Sequence, residues 1–204
     1  VLNSSTYINK ESYHINPEKV RFLRNIVDHS GANIVLTSTW KAGFDKKTGK
    51  KAEYYMILER SLEEYGLKIF DITEEIPVKN HKNLPVSFSL EEIANFELLY
   101  GTGRAAEVEN WIKKYQPESF VILDDENCDW KNYGLEKSWI QTSYYGLHGG
   151  LLPEHVKRAI QISNPPQSAS LPTLHESPDV RAKNSYQESS HAISRSIAVC
   201  LISI

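Results

Sequence analysis

Phe120-Val121-Ile122-Leu123-Asp124-Asp125 joins four apolar residues to two adjacent carboxylates. Its apolar residues form a continuous run, which is typical of a strand buried on both faces in a parallel sheet covered by helices. Ligands of such sheets bind beyond the carboxyl ends of the strands. Carboxylates at that point suit a hard divalent cation, so Asp124 and Asp125 are predicted to hold Mg²⁺. The alternative is a strand that ends in a solvated acidic turn.

The composition of the 204 residues is typical of a globular protein, with 40% apolar residues, 24% charged residues and a formal net charge of −3. This balance does not indicate a nucleic-acid scaffold, although a local basic patch is compatible with it. Cys128 and Cys200 show neither metal-ligand spacing nor a disulfide framework, so a reducing, cytoplasmic location is expected. No signal peptide or membrane-spanning run is present, and no membrane partner is expected. The oligomeric state is left open.

Strands and helices are predicted to alternate along the chain. Helices are predicted after Asn16-Pro17, over 51–65, from Ser89 to about Leu99, over Arg104–Tyr115 and from Leu152 onward. Strands are predicted over 33–38, 67–72, 120–124 and 138–142. This order is typical of an α/β domain with a mostly parallel sheet. The Ser- and Pro-rich stretch that follows has no periodicity, so 163–204 is predicted to be a disordered tail.

Two further groups would join the acids at the carboxyl edge of such a sheet. Thr37-Ser38-Thr39-Trp40-Lys41 follows a buried strand, and a hydroxyl there can donate to a phosphate oxygen, although strand-end capping is the commoner role. Side chains alternate along a strand, so only one of Thr37 and Ser38 should face the pocket. Arg104 begins the helix that leads into the acidic strand. Its fixed positive charge, beside the exposed N–H groups of the helix start, suits a bound anion. A solvated surface arginine is the alternative.

These elements, in this order, resemble the haloacid dehalogenase (HAD) superfamily of phosphohydrolases over roughly residues 1–162. In that superfamily an Asp-x-Asp-Gly strand end is often continued by Val-Leu-Asn, to which Val1-Leu2-Asn3 is similar. The next elements of the superfamily are a strand that ends in Thr or Ser, then a Lys or Arg, and then an apolar strand that ends in two acids. Thr37–Lys41 is also similar to the Ser-Ser-Trp-Arg element of HAD domains associated with bacterial RNA-repair proteins. Residues 146–155 resemble the closing segment of the same group.

The resemblance implies a Rossmann-like three-layer sandwich with a small cap or none, and a Mg²⁺-dependent hydrolase. The implied substrate is a phosphomonoester, either a phosphorylated small molecule such as a nucleotide or a nucleic-acid end. The site residues that it implies are catalytic Thr37, Ser38 and Arg104, metal-binding Asp124 and Asp125, and substrate-binding Asn3, Thr39, Trp40 and Lys41.

The sequence departs from the superfamily in one respect, because it contains no Asp-x-Asp-Gly. By the resemblance this motif would lie immediately before Val1 and would supply the nucleophile and the general acid and base. The HAD-like domain over 1–162 is therefore expected to be N-terminally truncated and the chain as printed to be inactive. A non-catalytic phosphate- or partner-binding module on the same fold is the alternative. A phospho-acceptor receiver domain is disfavoured, because it places its acid pair before its hydroxyl strand.

Overall fold

The computed structural model describes residues 1–75 and 103–164 and the backbone of 198–201. The helices within these ranges are α1 (Pro17–Ser30), α2 (Glu53–Glu63), α3 (Arg104–Tyr115) and α4 (Pro153–Ser163). The strands are β1 (Asn33–Leu36), β2 (Ile69–Ile72), β3 (Phe120–Asp124), β4 (Trp139–Gln141) and β5 (Ala198–Leu201). Short 3₁₀ helices cover Thr39–Gly43 and Trp130–Tyr133.

The described strands form a single sheet in the order β2-β1-β5-β3-β4, and all neighbours are parallel. β5 pairs with β1 on one side and with β3 on the other. Because all strands run the same way, their carboxyl ends meet at one edge of the sheet. The α/β class and the parallel sheet that the sequence predicts are therefore present.

Local sequence signals account for the boundaries of α1. The Asn16 side chain accepts a hydrogen bond from the Glu18 amide at 2.9 Å, which satisfies one of the free donors at the helix start. Pro17 fits the first turn because it has no amide hydrogen to leave unpaired. Gly31 ends the helix at φ 65°, a left-handed conformation that glycine adopts without a Cβ clash.

Alternate residues of the central strands face two separate apolar clusters. Ile34, Leu36, Val121 and Leu123 face the cluster that α1, α2 and α4 cover. Val35 and Ile122 face the opposite cluster, which is covered by α3 and by the segment around Trp130. Both faces of β1 and β3 are thus buried, which is why their sequences are continuous apolar runs.

The predicted elements agree with the structure to within about two residues at each end, the usual variation of boundaries. The predicted helix Ser89 to Leu99 lies outside the described residues. The tail prediction is wrong for Ala198–Leu201, because these four residues pair with two strands in the sheet. It is also wrong for Ser163, which ends α4. The remaining residues of that stretch are outside the described part, apart from Asn164, whose amide bonds to the Ile160 carbonyl.

Candidate active site

Thr37 and Ser38 lie directly after β1, and only one of their hydroxyls has a hydrogen-bond partner among the described residues. The Ser38 hydroxyl accepts a hydrogen bond from the Trp40 amide at 3.1 Å and caps the following 3₁₀ helix. The Thr37 hydroxyl is buried and has no hydrogen-bond partner among the described residues. Ser38 therefore performs the ordinary capping role, whereas Thr37 retains a free hydroxyl.

Arg104 and Asp124 form an ion pair at the carboxyl edge of the sheet. The Arg104 Nη1 atom lies 3.3 Å from both carboxylate oxygens of Asp124 and 3.1 Å from Glu126 Oε2. Asp124 is completely buried and the Arg104 side chain is 14% exposed, so water screens this pair weakly. The Glu126 amide also donates to Asp124 Oδ1 at 3.0 Å. The arginine that starts α3 is thus fixed against the acid that ends β3.

Burial raises the pKa of Asp124 to about 6, although Arg104 and the Glu126 amide oppose the shift. The adjacent Asp125 carboxylate adds to it. Burial also raises the pKa of the Cys128 thiol to about 12, with the Asp124 charge acting in the same direction. Cys128 is therefore a neutral thiol beside the ion pair, with its Sγ 3.6 Å from Asp124 Oδ2.

Several buried polar atoms at this edge have no partner within the described part of the chain. They are Asn3 Oδ1, Thr37 Oγ1, Asp125 Oδ1 and Thr142 Oγ1. A buried polar atom without a partner is costly and rare, so a group of them at one sheet edge indicates a ligand-binding position. Thr142 belongs to this edge because it follows β4 and its amide donates to the Asp124 carbonyl at 2.9 Å.

The fit of a divalent cation to this edge depends on Asp124 and Asp125. Asp125 offers a buried carboxylate oxygen without a protein partner, which suits a hard cation. Asp124 offers oxygens that are already engaged by Arg104. Across the described residues, His, Cys, Asp and Glu form no group of three or more that could hold a metal ion. The described acids therefore supply one free carboxylate oxygen, on Asp125, and not a complete set of metal ligands.

The first residues of the chain lie against the same edge. The Val1 carbonyl accepts a hydrogen bond from the Leu151 amide at 2.8 Å, and Val1, Leu2 and Asn3 are buried. Burial lowers the pKa of the Val1 amino group to about 6, while the charges of Asp125 and Asp124 oppose that shift. The amino group therefore lies within electrostatic range of both acids.

The remaining predicted substrate-binding residues lie in the 3₁₀ helix after Ser38. Trp40 packs edge-to-face against Tyr13 and Tyr54, with ring centroids 6.2 and 5.8 Å away. Lys41 forms an ion pair with Glu107 and lies 3.4 Å from the Thr73 hydroxyl, so its ammonium is already paired. Thr39 is exposed at the start of this helix.

Thr142, Glu107 and Thr73 were not singled out from the sequence. Thr142 and Thr73 each follow a strand, so the position of a hydroxyl directly after a strand, which identifies Thr37, also applies to them. The pairing of Glu107 with Lys41, 66 positions away, had no local signal.

The site residues described above lie at the carboxyl edge of a parallel α/β sheet, where ligands of such sheets bind. Comparison with family models matches residues 1–151 to the HAD domain in Swiss Army Knife RNA repair proteins. The chain belongs to this family. Searches of curated proteins and of solved structures found no significant match. No helix in the described ranges is long and apolar enough to cross a membrane.

Proposed function

We propose that the complete protein is a Mg²⁺-dependent phosphatase acting on a phosphomonoester, through an aspartyl-phosphate. The observation that carries the proposal is the buried, unpartnered Thr37 hydroxyl at the same sheet edge as the Arg104–Asp124 pair. The substrate class is a nucleotide or a phosphorylated nucleic-acid end, which the RNA-repair context of the family supports.

Each described residue has a defined part in this proposal. The Thr37 hydroxyl donates to a phosphate oxygen, and the free Thr142 hydroxyl is a second available donor. The free Asn3 Oδ1 atom can only accept, so it suits a donor group of the substrate. Arg104 keeps Asp124 ionised and reduces the negative charge that an incoming phosphate meets. Ser38 holds the chain after β1 in place through its cap. Trp40, Thr39 and Lys41 line the approach beyond the hydroxyl.

Asp124 and Asp125 are the residues that would hold Mg²⁺, with the free Asp125 oxygen as the stronger ligand. When bound, the cation allows an anionic carboxylate and an anionic phosphate to approach one another.

The nucleophile is proposed to be an aspartate supplied by residues that precede Val1. The position of Val1 supports this, because Val1 is buried and its carbonyl accepts a hydrogen bond from the Leu151 amide at 2.8 Å. A carboxylate just before it would reach the same edge. Its oxygen would attack phosphorus, the ester oxygen would leave with a proton from a second acid, and water would then hydrolyse the acyl phosphate.

The complete domain is proposed to be a three-layer sandwich with a small cap or none. The protein is proposed to lie in the cytoplasm. Two segments could carry a cap, Gly43 to Lys51 and Thr73 to Leu99. The first supports a small cap, since Phe44 and Lys51 close it with an antiparallel bridge. The second candidate for a cap, Thr73 to Leu99, lies largely outside the described residues. An open edge of this kind admits a nucleic-acid end.

The decisive experiment extends the chain with the residues encoded upstream of Val1 and measures phosphate release with Mg²⁺. An oligonucleotide with a terminal phosphate, a nucleoside monophosphate and p-nitrophenyl phosphate are compared. We expect the extended chain to release phosphate and the 204-residue chain to release none. If the upstream residues contain no Asp-x-Asp-Gly or close variant, the enzymatic proposal fails.

A non-catalytic phosphate-binding module is the second candidate, and the engagement of both Asp124 oxygens by Arg104 favours it, because those oxygens are less available to a cation. Calorimetric titration with Mg²⁺ and inorganic phosphate, beside the turnover assay, separates the two functions. Binding without turnover by the extended chain would support the module.

A further inference from the structure

A buried polar cluster joins three elements at the carboxyl edge of the sheet. The Lys41 ammonium donates to Glu107 Oε2, and the same oxygen accepts a hydrogen bond from the Thr73 hydroxyl at 3.1 Å. Lys41 Nζ also lies 3.4 Å from Thr73 Oγ1. Lys41 belongs to the 3₁₀ helix after β1, Thr73 follows β2, and Glu107 lies in the first turn of α3. We call these three residues the edge cluster.

The edge cluster faces the same side of the sheet as the Thr37 hydroxyl. Val35 faces the apolar cluster that α3 covers, and Trp111 of α3 donates to Asp71 Oδ2 at 2.8 Å. Side chains alternate along a strand, so Thr37, two residues after Val35, points towards α3. Thr73 follows Asp71 by the same spacing and points the same way.

Thr37 and Thr73 are also neighbours across the sheet. Leu36 and Ile72 are register partners of β1 and β2, and the Thr73 amide donates to the Leu36 carbonyl at 3.0 Å. Glu107 holds the Thr73 hydroxyl, whereas the Thr37 hydroxyl has no partner in the described ranges. The edge cluster therefore borders the position at which the Thr37 hydroxyl would meet a phosphate.

Glu107 connects this border to Arg104. The two residues are three positions apart on α3, so their side chains share one face of the helix. Arg104 attaches the first turn of α3 to Asp124 of β3, and Glu107 attaches it to the chain after β1 and β2. The side chains of Lys41 and Glu107 are only 10% and 12% exposed, so water and salt screen their attraction weakly.

We propose that Glu107 is a positioning residue of the phosphate site, which holds the Thr37 hydroxyl and the Arg104 guanidinium at a fixed spacing. Lys41 is its tether, because loss of either charge leaves the other buried and unpaired. The first turn of α3 then shifts relative to the chain after β1, and Arg104 and Thr37 no longer face the same anion. That this anion is a phosphate rests on the proposed function, whereas the control of the Arg104 position by Glu107 does not.

The test uses the 204-residue chain and two readouts. Calorimetry measures the affinity for inorganic phosphate with Mg²⁺, and NMR follows the side-chain N–H resonance of Arg104 without a ligand. Glu107→Gln keeps an acceptor for the Thr73 hydroxyl but removes the charge that holds Lys41. We expect it to weaken phosphate binding by about tenfold, the value of one charge-assisted hydrogen bond, and to shift the Arg104 resonance. Lys41→Met should do the same, and the double variant should bind no more weakly than either single variant, because all three remove one contact.

Lys114→Met is the matched control. Lys114 pairs with Glu74 at 2.9 Å and so joins the chain after β2 to α3, as the edge cluster does, but both side chains are exposed and the pair lies at the far end of the helix. This variant should change neither readout. Parental phosphate affinity together with a parental Arg104 resonance in Glu107→Gln would overturn the proposal. A loss of affinity in Lys41→Met alone would also overturn it, because Lys41 would then contact the phosphate directly.

Charge reversal gives a further check in which the ion pair is kept. Lys41→Glu combined with Glu107→Lys should retain the Arg104 resonance of the parent chain, and a shift as large as that in Glu107→Gln would contradict the proposal. If the parent chain binds no phosphate, the proposed function fails, and the ligand-free Arg104 resonance still decides whether Glu107 positions Arg104.

Discussion

Two adjacent hydroxyls at the end of β1 show how a single hydrogen bond separates a structural residue from a candidate ligand. From the sequence, Thr37 and Ser38 were equivalent. Ser38 is engaged by the Trp40 amide, whereas the Thr37 hydroxyl is buried without a described partner. Alternation along a strand predicts that only one of them faces the pocket, but tertiary contacts were needed to say which.

Thr37→Val is expected to weaken binding of inorganic phosphate in the presence of Mg²⁺ by about ten- to hundredfold, the value of one hydrogen bond to a charged group. Stability should stay the same or rise slightly, because an unpaired buried hydroxyl is removed. Ser38→Ala is the matched control and should lose about 1 kcal/mol of stability while retaining phosphate affinity. Calorimetry measures the phosphate affinity of each variant, and urea unfolding measures its stability. Equal losses of affinity in the two variants would contradict the assignment.

The buried carboxyl of Asp124 should make stability depend on pH. Folding raises its pKa from 3.8 to about 6, so in this window the folded protein keeps a proton that the unfolded chain has released. The free energy of unfolding should therefore fall as pH rises from about 4 to 6, by about 3 kcal/mol for this group. Asp124→Asn should flatten that slope in urea titrations across the window.

The control for this prediction is Glu118→Gln, which changes an exposed carboxyl outside the site. It should leave the slope as it is in the parent chain. A slope that persists in Asp124→Asn would show that another group dominates the titration.

At the level of elements, local signals were reliable where a cap or a breaker was present. Asn16-Pro17 and Gly31 set the limits of α1, and the helix Arg104–Tyr115 has the predicted ends. Gly149 is explained by packing, and Gly150 by packing together with its φ of 80°. A Cβ at Gly149 would lie 2.5 Å from Ser4 Cβ, and one at Gly150 would lie 3.0 Å from the Val1 carbonyl oxygen.

Gly150→Ala should destabilise the protein by about 1–3 kcal/mol, because the residue combines φ 80° with close contact to the Val1 carbonyl. Gly146→Ala is the matched control, since Gly146 has φ 86° but open space around its Cβ position. Thermal unfolding should show the larger loss for Gly150→Ala. Equal losses would mean that backbone strain alone, and not the approach of the N-terminal segment, requires glycine at 150.

At the scale of the whole molecule, a single sheet joins two apolar clusters, one on each face. Ile122 and Leu123 are both fully buried and face opposite clusters. Ile122→Ala and Leu123→Ala should each cost about 2–5 kcal/mol. Each variant should still unfold in one transition, because both faces share the same strands.

The measurement compares tryptophan fluorescence with far-ultraviolet circular dichroism during unfolding. Trp111, Trp130 and Trp139 belong to the cluster around Ile122, so fluorescence reports mainly on that face. Coincident transitions are expected from both signals. Separate transitions would show that the two faces unfold independently.

The α/β class, the strands β1 to β4 and the positions of Thr37, Ser38, Arg104, Asp124 and Asp125 at strand or helix ends follow from local sequence signals, because caps, breakers and apolar runs act over a few neighbouring residues. Tertiary structure decided what depends on distant contacts: the free hydroxyl of Thr37, the pairing of Lys41 with Glu107, and the place of Ala198–Leu201 at the centre of the sheet. A four-residue apolar segment carries no signal of where it will pair. Its position follows from the hydrogen-bonding edges that β1 and β3 leave open.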